Sequence, residues 1–199
     1  LAVDNGFYVV SDEVYEHFVY DGKKQMSIAS LNEDIQKLTI SVNSFSKTYA
    51  MPGWRVGYCG ADKDVMKSME NFQSHTSGNV SNISQMAALE ALNGSQDSVR
   101  TMVRAFDERR KFIHRRLNEI PGIDCIEPEG AFYAFPDISG TGMNSLDFSN
   151  ILLEEALVAL VPGAAFGCDN NVRLSYACSM EEIEKGMDRM EKWLKSRML

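Results

Sequence analysis

The residues of this chain best equipped for chemistry gather where apolar runs end. Phe7-Tyr8-Val9-Val10 gives way to Ser11-Asp12-Glu13, with Tyr15 close behind. Leu38-Thr39-Ile40-Ser41-Val42 gives way to Asn43-Ser44, and Ser46 and Lys47 follow. Arg55 opens a third run, Arg55-Val56-Gly57-Tyr58-Cys59. A lysine amine captures carbonyl compounds as Schiff bases. A guanidinium presents a planar fork of donors to a phosphate or carboxylate. A carboxylate holds a cation, and a phenol donates a hydrogen bond. Singly, each residue has a structural explanation: a turn cap for Asp12, solvation for Lys47, an ion pair for Arg55. One anion, one phenol, two hydroxyls and two cations at one place are harder to read as a solvated rim.

The elements that must position them follow from the same pattern. The three apolar runs read as strands, the first buried on both faces. More than twenty residues separate the first two, room for a crossover between parallel strands, whereas twelve separate Val42 from Arg55 and include Pro52-Gly53. A parallel crossover needs a dozen or more residues, usually with a helix, so the third strand is expected to run antiparallel to the second. Its start then lies at the sheet edge where the first two end, the edge at which open α/β sheets bind ligands.

Beyond the sheet the pattern turns helical. Asp62 is placed to cap a helix carrying Val65, Met69 and Phe72; a loop over 74–82 leads to a second helix stopped by Asn93-Gly94. Val99, Met102, Phe106, Ile113, Leu117 and Ile120 recur at helical spacing until Pro121-Gly122. Short strands are expected at 124–126, 131–135, 158–161 and 172–176, with a helix around 148–157. A terminal helix opens on the capping box Ser179-x-x-Glu182 and carries Ile183, Met187, Met190 and Leu194 on one face. The fold class is α/β: part of a large domain with a mixed, mainly parallel sheet, then a small α+β domain. The expected boundaries are 1–95, a connecting helix over 96–120, and 121–199.

Composition narrows the partners. The net charge of −8 argues against nucleic acid or anionic membrane. The four cysteines form no C-x-x-C pair, as expected of reduced thiols in a cytoplasmic protein without structural zinc. His17, His75 and His114 lack ligand spacing; Glu13 and His17 stand four apart, but two ligands do not make a metal site. No metal is expected. The opening Leu1-Ala2-Val3-Asp4-Asn5-Gly6 reads as the end of a helix, so a fragment is expected, one inactive by itself.

Ser44-Phe45-Ser46-Lys47-Thr48-Tyr49-Ala50-Met51-Pro52-Gly53-Trp54-Arg55-Val56-Gly57 resembles the pyridoxal-phosphate (PLP) lysine motif of fold-type I, class I/II aminotransferases. Ser11-Asp12-Glu13-Val14-Tyr15 resembles the family's D-x-x-Y segment, and Gly130-Ala131-Phe132-Tyr133 and Val172-Arg173-Leu174-Ser175-Tyr176 resemble its small-domain landmarks. The closest flavour is the aspartate-aminotransferase-like branch. The resemblance implies PLP on Lys47 as a Schiff base, Asp12 on the pyridine nitrogen, Tyr15 on the ring 3-oxygen, and Ser44 and Arg55 on the phosphate. It implies Arg173 on the substrate carboxylate, amino-acid and 2-oxo-acid substrates, and a homodimer. The segment His75-Thr76-Ser77-Gly78-Asn79 resembles one that approaches the neighbouring subunit's site in family dimers.

Three other readings compete. Ser44-x-x-Lys47 also matches the S-x-x-K of penicillin-binding proteins, but Ser11-Asp12 is followed by Glu13 and Lys47-Thr48 by Tyr49, so the companion S-D-N and K-T-G motifs are missing. A PLP-dependent lyase or decarboxylase uses the same lysine, aspartate and arginine. A non-catalytic sensor domain of a transcription regulator keeps the fold without the reaction.

Overall fold

The computed structural model describes residues 1–197; positions 198 and 199, the end of the expected C-terminal domain, lie outside the described residues. Helix α1 (Ala2–Asn5) closes on Gly6 at φ 66°, the left-handed conformation that makes Asn-Gly a helix stop. There follow β1 (Val9–Asp12), α2 (Glu33–Leu38), β2 (Thr39–Ser44), the single-turn α3 (Phe45–Thr48) and β3 (Gly57–Gly60). β1 pairs parallel with β2, and β2 antiparallel with β3. The connections dictate this: α2 and a 3₁₀ turn fill the first, while only α3 and a 3₁₀ turn at Pro52–Trp54 fill the second. Gly57 sits opposite Ser44, so β3 begins where β1 and β2 end.

β1 differs from expectation. It lies at one edge of the sheet order β1-β2-β3 and is not buried on both faces: Tyr8 is 58% exposed and Val10 69%. Tyr8 instead lines an open groove of about 700 Å³ with Val65, Met69 and Phe72.

Next come α4 (Lys63–Thr76), α5 (Asn82–Asn93) and α6 (Asp97–Asn118). Asp62 caps α4 as expected, its carboxylate accepting from Asp64 N at 3.0 Å. The helix runs on to Thr76, past the start of the expected loop. Ser77 and Gly78 N–H groups both donate to Gln73 O, with Gly78 left-handed at φ 66°, and these bonds close it. The chain divides into two compact units between Thr101 and Met102, a point inside α6.

The second unit adds β4 (Tyr133–Ala134), α7 (Ser145–Ala156), β5 (Val161–Pro162), β6 (Val172–Ser175) and α8 (Met180–Arg197). Its antiparallel sheet has the order β4-β6-β5, which leaves Pro162 on an edge strand, where its missing N–H is tolerated. Phe106, Ile113 and Leu117 of α6, Phe148 and Leu152 of α7, and Ile183, Met187, Met190 and Leu194 of α8 are all buried. Each such side chain contributes roughly 1.5–3 kcal/mol on burial. Ser179 Oγ accepts from Glu182 N at 3.2 Å, forming the expected cap of α8. The expected strand at 124–126 reduces to a single bridge from Asp124 to Asp137. The Asn118 side chain takes the place of a strand neighbour, accepting from Cys125 N (2.9 Å) and donating to Cys125 O (3.0 Å).

Candidate active site

Lys47 owes its position to the residues around it. Ser44, the last residue of β2, turns the chain into α3 by accepting from Ser46 N at 3.1 Å. Phe45 and Thr48 are buried, and Phe45 packs with Val56 and Ala88 while stacking on Tyr49 at 5.4 Å. Tyr49 in turn donates its hydroxyl to Gln96 Oε1 at 3.2 Å. One face of the turn is thereby fixed, and Lys47 projects from the other, half-buried, with Nζ 6.0 Å from the centroid of the Tyr15 ring. Tyr15 is itself set edge-on to the fully buried Phe18 at 6.3 Å.

Asp12 ends β1 in register with Val42 and is exposed; its carboxylate accepts from Val14 N at 3.3 Å, so it forms a turn while remaining open to a ligand. The Ser44 hydroxyl lies 2.9 Å from that of Ser46. Arg55 is exposed and left-handed (φ 51°, ψ 51°), and it donates through NH1 to Pro52 O at 2.6 Å. Ala50 also has φ 51°. Two non-glycine residues in this sparsely populated region, five apart, store backbone strain on either side of the 3₁₀ turn. Gly57 completes the corner: a Cβ there would meet Asn43 O at 2.7 Å, so only glycine lets β3 start this close to β2.

Tyr58 meets Phe45 edge-on at 5.7 Å, and burial pushes the Tyr49 and Tyr58 phenols above their usual range, with the negative charge of Glu16 adding to the shift. They remain neutral through physiological pH. Glu13 does not face His17. It is buried and accepts from the hydroxyls of Ser11 (3.0 Å) and Ser27 (2.6 Å), while His17 lies 3.6 Å from Glu16. Among the described residues no His, Cys, Asp or Glu cluster is arranged to hold a metal, and no helix is long and apolar enough to cross a membrane.

Arg173 belongs to the second unit, at the centre of its sheet on β6. Its guanidinium lies 4.6 Å from the Tyr133 ring centroid and 4.7 Å from that of Phe166. Tyr133 stands in one of the landmark segments. Phe166 was not legible as a site neighbour; its only signal is a place between Gly163 and Gly167 on a short turn.

The profile of the family "Aminotransferase class I and II" matches residues 1–190. The chain belongs to that family. This aminotransferase-family chain is 42% identical over 200 residues to the aspartate aminotransferase of Bacillus sp. (strain YM-2), covering 98% of the chain and 51% of the relative. It is 46% identical over 202 residues to the aspartate aminotransferase of Pyrococcus abyssi (strain GE5 / Orsay), covering 100% and 51% respectively. The crystal structure of an aromatic aminotransferase from Pyrococcus horikoshii OT3 superposes with a TM-score of 0.95 at 44% identity, covering 99% of this chain and 53% of that one. The chain therefore spans about half the length of the family members it matches.

Proposed function

We propose that this chain carries the lysine-bearing part of a PLP-dependent aminotransferase exchanging an amino group between an amino acid and a 2-oxo acid, with aspartate as the amino donor. The observation that carries the reading is Lys47 itself, held at the ligand-binding end of β2 with Nζ above the Tyr15 ring. The aspartate aminotransferases among its relatives support the substrate class.

The donor set suits PLP: an amine for its aldehyde, a carboxylate for its ring nitrogen, a phenol for its 3-oxygen, and a hydroxyl and a guanidinium for its phosphate. When bound, PLP supplies an electron-accepting ring that allows a proton to leave the substrate Cα. Lys47 Nζ would hold the cofactor and, once released by exchange with substrate, would take the proton from the substrate Cα and hand it to the cofactor's C4′ carbon. Asp12 keeps the ring nitrogen protonated. Tyr15 donates to the 3-oxygen. Arg55 and Ser44 hold the phosphate; the Arg55 fork has donors beyond the NH1 group that reaches Pro52 O. Arg173 binds the substrate carboxylate. Assembly as a homodimer is part of the same reading and rests on the family to which the chain belongs.

Borohydride reduction of the PLP-loaded full-length protein, followed by peptide mass mapping, tests the lysine. The pyridoxyl mass is expected on the peptide containing Lys47; label on Lys23, Lys24 or Lys63 would sink the assignment. A panel of amino acids with 2-oxoglutarate tests the donor, and a tenfold or greater preference for another amino acid would displace aspartate.

A further inference from the structure

Arg173 is half-buried, yet among the described residues no hydrogen bond or ion pair reaches its guanidinium. A partly desolvated cation normally recruits a carboxylate or a carbonyl. Here the faces of Tyr133 and Phe166, at 4.6 and 4.7 Å, take that place. A ring face attracts a cation through its quadrupole and occupies none of the N–H donors. A carboxylate neighbour would have consumed those donors and competed with any incoming anion.

Both rings are fixed by backbone. Tyr133 on β4 pairs with Ser175 on β6. Arg173, two residues before Ser175, lies on the same sheet face and within diagonal reach of Tyr133. Phe166 ends a 3₁₀ turn, Gly163–Phe166, that is tied down at its start: Gly163 N donates to Asn171 O at 2.8 Å and Cys168 N donates to Gly163 O at 3.0 Å. A Cβ on Gly163 would fall 2.1 Å from Asn171 O and 2.2 Å from Cys168 O, so this packing requires glycine. Phe135 meets Phe166 edge-on, at 5.9 Å and an interplanar angle of 90°.

We propose that Tyr133 and Phe166 are positioning residues for carboxylate recognition: their ring faces hold the Arg173 cation in place and leave its N–H donors for the carboxylate of the amino acid or 2-oxo acid. The proposal rests on Arg173 being the carboxylate-binding residue, and its test separates the two ideas.

In the PLP-loaded full-length protein, Phe166→Leu and Tyr133→Leu should each raise KM for both substrates about tenfold with kcat changed far less, the loss of one cation–π contact. The Kd of maleate, a dicarboxylate that cannot react, should rise by the same factor in calorimetry, and Tyr133→Phe should restore it. Because a leucine could loosen the fold, Phe166 is also replaced by phenylalanines of increasing fluorination, which keep the ring's shape and drain its face of charge. Maleate Kd should climb with each added fluorine. No trend along that series, or leucine variants with unchanged KM and Kd, would overturn the role of the rings if Arg173→Ala still abolishes maleate binding. Unchanged maleate binding in Arg173→Ala would instead remove the premise, and the proposal with it.

Discussion

Lys47 Nζ lies 6.0 Å from the centre of the Tyr15 ring, above its face, although the two residues are set by different strands of one sheet. The parallel pairing of β1 with β2 produces the meeting: it brings both strands to a close at the same edge, and each places its polar residues in the turn that follows. Tyr15 presents its ring face to the lysine, and in the proposed function its hydroxyl would donate to the cofactor's 3-oxygen.

Tyr15→Phe separates them. The ring face remains and the hydroxyl goes, so PLP should stay bound while turnover falls about 10–100-fold, the loss expected for one hydrogen bond to a charged atom. Tyr15→Leu should also weaken cofactor retention. Visible absorbance of the bound cofactor and single-turnover rates check both. Full turnover in Tyr15→Phe would mean that the hydroxyl touches nothing that reacts.

Arg55 combines two effects of opposite sign. Its left-handed backbone disfavours any residue with a Cβ by roughly 1–2 kcal/mol, and glycine escapes that cost. Arg55→Gly and Arg55→Ala should lose PLP affinity equally, since both remove the guanidinium. In urea unfolding, Arg55→Gly should be the more stable of the two by about 1 kcal/mol. Equal stability would show that the backbone at 55 is relaxed in solution.

Much of this site could be read from the sequence because connection length and strand-end chemistry are local properties. The twelve residues between Val42 and Arg55, broken by Pro52-Gly53, are at the lower limit for a crossover and leave no room for a long helix, and β3 runs antiparallel. Capping is equally local, and Asp62 and Ser179 start helices α4 and α8 as expected. What failed depended on neighbours distant in sequence. The strand expected at 124–126 is lost to the side chain of Asn118. Phe166 reaches Arg173 only because a turn between β5 and β6 folds back, and no spacing rule announces it.

Gly57→Ala should disturb the site without touching a ligand. Its Cβ would stand 2.7 Å from Asn43 O, a backbone atom that cannot swing aside as a side chain does. Overpacking of this kind typically costs about 1–3 kcal/mol, and here relief requires β3 to move from β2 beside Ser44. Lower stability together with weaker PLP binding is expected. A variant that melts lower but binds PLP as before would show that the Ser44 corner tolerates the shift.

Alkaline pH should destabilise the second unit through Cys125. This thiol is 4% exposed, and burial pushes its pKa up to about 11 from 9, outweighing a hydrogen bond from the Phe135 backbone. The folded state thus keeps the proton where the unfolded chain releases it. Stability from the neutral thiol is complete below pH 9 and drains away as pH rises through 11. The loss across that range amounts to roughly 2–3 kcal/mol. The phenols of Tyr49 and Tyr58 also titrate high, but from a starting value of 10 and in the first unit, so the interval from pH 9 to 10 isolates the thiol. Cys178 is raised as well by burial, yet it is exposed and should contribute much less. The measurement is urea unfolding of a Trp54→Phe variant at pH 8, 9 and 10, read at Trp193, which is buried in the same unit as Cys125. Stability should fall from pH 9 to 10, Cys125→Ala should flatten that fall, and Cys178→Ser should leave it in place. An equal slope in Cys125→Ala would show that the thiol ionises as readily folded as unfolded, and that water reaches it behind the Asn118 clamp.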